Sequence, residues 1–117
     1  MGKLSTHVLD ITQGKPGVGV AVALYRVDGT EKILVKKDTT NQDGRCEQPL
    51  LQGDEVKSGR YELVFGAGDY FAKQGVTVPT PRFIDEVVLA FGIADPTQNY
   101  HVPLVVSPWA YSTYRGS

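Results

Sequence analysis

Val18-Gly19-Val20-Ala21-Val22-Ala23-Leu24-Tyr25 sets a large apolar side chain at every second position and a small or amphipathic residue between. Only an extended strand, whose side chains alternate between two faces, puts Val18, Val20, Val22 and Leu24 on one side and Gly19, Ala21, Ala23 and Tyr25 on the other. Downstream, Asp28-Gly29 offers a tight turn because both residues tolerate positive φ, and Ile33–Lys37 returns antiparallel to the first run. Upstream, Ser5–Ile11 reads as an earlier strand, closed off by Gln13-Gly14-Lys15-Pro16-Gly17.

The remainder repeats this punctuation. Asn41-Gln42-Asp43-Gly44 is a second turn cluster, after which Arg45–Leu50 makes a short strand before Pro49 and Gly53 intervene. Tyr61, Leu63 and Phe65 alternate with Glu62 and Val64 as another strand. Asp69–Gly75 begins on an N-cap residue type and ends on glycine, the pattern of one short helix. Arg82–Ile93 is expected as a long strand, with Phe83, Val87, Leu89 and Phe91 on one face and Ile84, Val88 and Ala90 on the other. Asn99–Val106 follows, and Ser107-Pro108-Trp109 turns into a last strand through Tyr111 and Tyr114. About eight short strands with turn signals every ~8–12 residues predict an all-β fold, an antiparallel sandwich with one short helix. Residues 1–117 are expected to form a single domain, with no linker, internal repeat or low-complexity tract.

Composition narrows the function classes. The 117 residues include 13 glycines and seven prolines and are 41% hydrophobic and 21% charged, which is globular usage with frequent chain reversal. A formal net charge of -1 supplies no general attraction to nucleic acid or anionic lipid, so a small-molecule or protein partner is expected. The lone Cys46 has no internal disulfide partner and reads as structural, with a catalytic thiol left open by the presence of His7 and His101. Met1–His7 has no apolar h-region and no stretch approaches ~18 apolar residues, so secretion and membrane spanning are not expected. Met1-Gly2 with Thr6 matches a myristoylation pattern but lacks a polybasic second anchor, and Arg115-Gly116-Ser117 is not a peroxisomal tripeptide.

Several motifs fail on context. Gly14–Gly19 is glycine-rich, yet no strand-to-helix step follows it to present amides to phosphate. His7, His101 and Cys46 lack zinc spacing, although ligands far apart in sequence can converge in space, and neither a metal nor a cofactor is expected. A Gly-x-Ser-x-Gly nucleophile elbow is also missing. What remains is polar chemistry at strand ends: His7, Arg45, His101 and the tail Tyr114-Arg115-Gly116-Ser117. Singly each has a bland explanation, since strand histidines are often half-exposed filler, an arginine after a turn is usually solvated, and tails fray.

Four segments together resemble the 5-hydroxyisourate hydrolase family of the transthyretin fold: Leu4–Asp10, Thr39–Arg45, Tyr100–Pro108 and Tyr111–Ser117. The likeness runs in order along essentially the whole chain. Ser107-Pro108-x-x-Tyr111-Ser112-Thr113 is shared with transthyretin carriers, whereas His7, Arg45, His101 and Tyr114-Arg115-Gly116-Ser117 resemble the hydrolases alone. Val105-Val106 and Trp109-Ala110 depart from the family without touching those positions.

The resemblance implies an eight-stranded transthyretin-like sandwich that assembles as a homotetramer, a dimer of dimers, with active sites in a channel between facing sheets. It implies hydrolysis of 5-hydroxyisourate to 2-oxo-4-hydroxy-4-carboxy-5-ureidoimidazoline in urate degradation, in the cytoplasm. His7 and His101 would share proton transfers and Arg45 would stabilise the oxyanion. Tyr114 would contact substrate, and Arg115, Gly116 and Ser117 would form the pocket wall and hold a catalytic histidine in its tautomer. Which histidine acts as base stays open. The alternative is a carrier that binds a small aromatic ligand without chemistry, a role that gains nothing from burying these polar groups.

Overall fold

The computed structural model describes residues 2–116. Its strands are β1 (Lys3–Asp10), β2 (Lys15–Pro16), β3 (Ala21–Asp28), β4 (Glu31–Thr39), β5 (Leu51–Gln52), β6 (Gly59–Phe65), β7 (Val87–Ile93), β8 (Tyr100–Val106) and β9 (Tyr111–Thr113), with one α-helix, α1 (Ala67–Lys73). They form two layers: β2-β1-β8-β9, with β5 also paired to β1, and β4-β3-β6-β7. Apolar positions of period two close the space between the sheets. Leu4, Val8, Val102, Leu104 and Val106 from one sheet face Val22, Leu24, Leu63, Phe65 and Leu89 from the other, all buried. At ~1.5–3 kcal/mol for each large side chain removed from water, this alternation drives the assembly of the layers.

Most pairings are antiparallel, as expected, but β1 and β8 run parallel, in a register that sets Ser5 opposite His101 and His7 opposite Pro103. The expected strand 45–50 is reduced to a single bridge between Arg45 and His7, followed by β5 pairing with Lys3 and Leu4. Pro49, which has no amide hydrogen to give a ladder, lies between these two contacts. The strand expected from Arg82 begins only at Val87. The preceding loop turns Phe83 out to 71% exposure, stacked on Trp109 at 5.9 Å, and leaves Ile84 buried.

The first hairpin turns on Gly29-Thr30 rather than Asp28-Gly29, since Asp28 pairs with Glu31. Only Gly29 takes a positive φ, +61°, which suits a two-residue turn with glycine at its first central position. Helix α1 starts two residues before the expected Asp69, which sits inside its first turn and binds Arg82 at 2.7 Å. Its end is as expected, with Gly75 at φ +78°.

Helix and sheet are joined by a buried carboxylate. Asp10, 0% exposed at the end of β1, accepts hydrogen bonds from the Tyr70 hydroxyl (2.7 Å), the Thr12 and Gln13 amides (2.9 and 3.1 Å) and Gln13 Nε2 (2.8 Å). Tyr70→Phe removes the bond from the helix and is expected to cost about 1.5–3 kcal/mol, the range for hydrogen bonds to charged groups. The measurement is a lowered urea midpoint at unchanged slope; an unmoved midpoint would show that the contact adds no stability.

Candidate active site

Alternation along β1 assigns the site. Leu4, Thr6, Val8 and Asp10 are buried, so Ser5 and His7 project from the opposite, outer face and are half-buried there. Strand β8 does the same, with Tyr100, Val102 and Leu104 inward and His101 half-buried on the outer side. Because the two strands are neighbours, the rings of His7 and His101 come to 6.5 Å between centroids, tilted by 36°.

Arg45 arrives from the other side of β1 through its bridge with His7. The turn before it is organised by Asn41, whose Oδ1 accepts from the amides of Asp43 (2.9 Å) and Arg45 (3.1 Å). Gly44 takes φ +76°, and a Cβ there would stand 2.5 Å from the Val8 carbonyl oxygen. Only glycine allows the loop to approach β1 closely enough for the Gly44 carbonyl to accept from the Val8 amide at 2.8 Å. Arg45, Ser5 and His101 line one open cleft of about 260 Å³, together with Lys3 and Asn99.

Two contacts grip the His101 ring. Ser5 Oγ lies 2.9 Å from its Nδ1. The main chain of Gly116 lies so close that a Cβ would stand 2.8 Å from the ring's Cδ2, while the Gly116 amide donates to the His101 carbonyl at 2.7 Å. Burial, and after it the charges of Arg45 and His7, hold the His101 imidazole below the usual histidine range, with a hydrogen bond to the main chain of Ser5 acting in the opposite sense. The ring is therefore neutral at neutral pH and able to accept a proton.

The expected residues are thus divided. His7, Arg45, His101 and Gly116 come together on one sheet. Tyr114, 61% exposed, and Arg115 instead line an opening of about 540 Å³ between the edges of β7 and β9. The Arg115 guanidinium lies 4.2 Å from the Tyr100 ring centroid and donates to Gln98 Oε1 and the Asn99 carbonyl, both at 3.0 Å, which ties the tail down beside Gly116. Ser117 lies outside the described residues. Ser5, Asn41 and Gly44 join the site beyond the residues expected from sequence. Ser5 was discoverable as the residue two before His7 on the same strand face, and Gly44 as the glycine of an Asp-Gly turn. Their contacts, however, are made across strands.

Cys46 adjoins the cleft, but burial and the neighbouring Asp38 push its thiol up to about 12, so it carries no thiolate at neutral pH. Among the described residues no three His, Cys, Asp or Glu side chains gather as a metal site. None of the helices among them is long and apolar enough to cross a membrane.

Comparison with known proteins adds a second line of support. The model of the HIUase/Transthyretin family matches residues 4–116. The chain is 56% identical over 117 residues to a 5-hydroxyisourate hydrolase of Pseudomonas aeruginosa, covering 100% of this chain and 93% of that one. It is 39% identical over 116 residues to a 5-hydroxyisourate hydrolase of Mus musculus, covering 97% and 94%. Among solved structures, Klebsiella pneumoniae 5-hydroxyisourate hydrolase superposes with a TM-score of 0.83 at 33% identity over 100% of both chains. An (S)-allantoin synthase superposes with a TM-score of 0.94 at 45% identity over 99% of this chain, which spans only 44% of the length of that larger one.

Proposed function

The chain belongs to the HIUase/Transthyretin family, and on that premise we propose that it is an enzyme hydrolysing 5-hydroxyisourate in urate degradation. The observation that carries this reading is the convergence of His7, Arg45 and His101 on one open sheet face, a polar cluster that a passive ligand channel would not need.

The substrate is a planar polar bicycle whose six-membered ring opens when water adds to an amide-type carbonyl. A histidine takes one water proton as the oxygen bonds to the carbonyl carbon. The carbonyl oxygen then carries negative charge, which the Arg45 guanidinium stabilises with its planar fork of donors. Collapse breaks the carbon–nitrogen bond, the proton passes to the departing nitrogen, and the product carries the new carboxyl group. His101, held neutral by its surroundings, is assigned the proton transfers, and His7, facing it across 6.5 Å, orients the water or shares its proton. Gly116 forms the wall beside His101, with Arg115 anchoring the tail that carries it. Tyr114 is assigned to substrate contact from the edge opening.

The same proposal includes a homotetramer in the cytoplasm. Strands β7 and β9 end their respective sheets on the same side of the sandwich and would pair with those of a second copy, while the outer face bearing the histidines would meet a facing dimer. The decisive experiment generates 5-hydroxyisourate from urate with urate oxidase and follows its ultraviolet absorbance. Decay well above the spontaneous rate is expected; decay at the spontaneous rate would leave the carrier as the better account.

A further inference from the structure

Of the two ring nitrogens of His101, one already has a partner. Nδ1 lies 2.9 Å from Ser5 Oγ, and the Gly116 main chain packs against Cδ2. Among the described residues Nε2 has no hydrogen-bond partner, and it is the nitrogen left to meet a ligand. A neutral imidazole carries its proton on either nitrogen, and the hydrogen bond made at one decides which remains a base at the other. A serine hydroxyl can accept as well as donate.

We propose that Ser5 is a positioning residue for the hydrolysis: by accepting a hydrogen bond from Nδ1–H of His101, it keeps the Nε2 lone pair free for the proton of the attacking water. This deepens the hydrolase assignment and rests on its use of His101 for proton transfer. The protons balance. Water oxygen bonds to the carbonyl carbon and its proton goes to Nε2, giving an imidazolium whose Nδ1–H still donates to Ser5. As the carbon–nitrogen bond breaks, Nε2–H passes to the departing nitrogen and the starting tautomer is restored. Ser5 never exchanges a proton with substrate.

The sheet makes this contact rigid. Ser5 and His101 stand directly opposite each other in the parallel β1–β8 ladder, and both are half-buried on the same outer face. The tautomer is thus set by strand register, with no dependence on a mobile loop.

The test is nitrogen-15 NMR of the imidazoles in the full-length protein above the histidine titration range, with His101→Asn assigning the signals. Wild-type His101 should be protonated on Nδ1. Ser5→Ala should lose that preference and lower kcat about 10–100-fold with little change in KM, a part of the ~10²–10⁴ that a positioned acid–base group supplies. Ser5→Thr, which keeps the hydroxyl, should restore both. An Nε2-protonated His101 in the wild type, or a Ser5→Ala protein with unchanged tautomer and kcat, would overturn the proposal. Active wild-type enzyme beside an equally active Ser5→Ala overturns the Ser5 role alone, whereas inactive wild type overturns the hydrolase assignment itself. The wild-type tautomer measurement needs no variant to fold.

Discussion

His101→Asn is expected to lower kcat by about 10²–10⁴, the contribution of a positioned proton-transfer group. Asparagine is planar and polar, so it can still meet Ser5 and lie beside Gly116, but it does not titrate. The loss should therefore fall on kcat, with the fold intact by circular dichroism. The pH profile carries the stronger signature. His101 works as the neutral base, and its surroundings lower its pKa, so wild-type kcat/KM should fall only as pH drops through a value below the ordinary histidine ~6.5. In the Asn variant that acid limb should vanish. A variant with near-normal turnover, or one that keeps the same acid limb, would move the proton-transfer role to His7.

Arg45→Ala should cost on the order of 3 kcal/mol in the transition state, about 10²–10³ in kcat, as for removal of an oxyanion-hole donor. Arg45 is exposed at the end of its turn, so the fold should change by no more than ~0.5 kcal/mol. A second effect separates its field from its contact with substrate. A cation beside His101 disfavours a second positive charge, so removing Arg45 should raise the His101 pKa and move the acid limb to higher pH. Arg45→Lys keeps the charge and loses the planar fork; it should hold the pKa down while recovering only part of the rate. Histidine titration by NMR and steady-state rates read the two effects independently. Full turnover in Arg45→Ala would remove the oxyanion role.

Legibility differed between local and cross-strand features. The Val20, Val22, Leu24 alternation is buried as read, because a period of two has only one structural solution. Turn residues were informative for similar reasons, since Gly29 and Gly75 occupy left-handed backbone that other residues avoid. Elsewhere tertiary pairing overrides the local pattern. Residues 82–86 look like the start of a strand, but the Asp85 carbonyl accepts from the Gly68 amide of α1 at 2.7 Å and Ile84 is buried, which keeps them as a loop against the helix. Residues 45–50 look like a strand, yet β1 receives only one bridge and β5 from this side.

The site shows the same division. His7, Arg45, His101 and the tail could be named from residue type and family resemblance, because their chemistry is written in the side chains. Their convergence depends on the parallel β1–β8 register and on a Gly44 turn that only glycine can make against the Val8 carbonyl. Neither the separate position of Arg115 over Tyr100 nor the contact of Ser5 with His101 could be read from spacing, since each joins residues from distant parts of the chain. The sequence alone determined which groups are available and which faces are apolar, properties local to each segment. Tertiary structure decided which groups meet, because strand order and register bring segments nearly a hundred residues apart into contact (Ser5 and His101 differ by 96 positions).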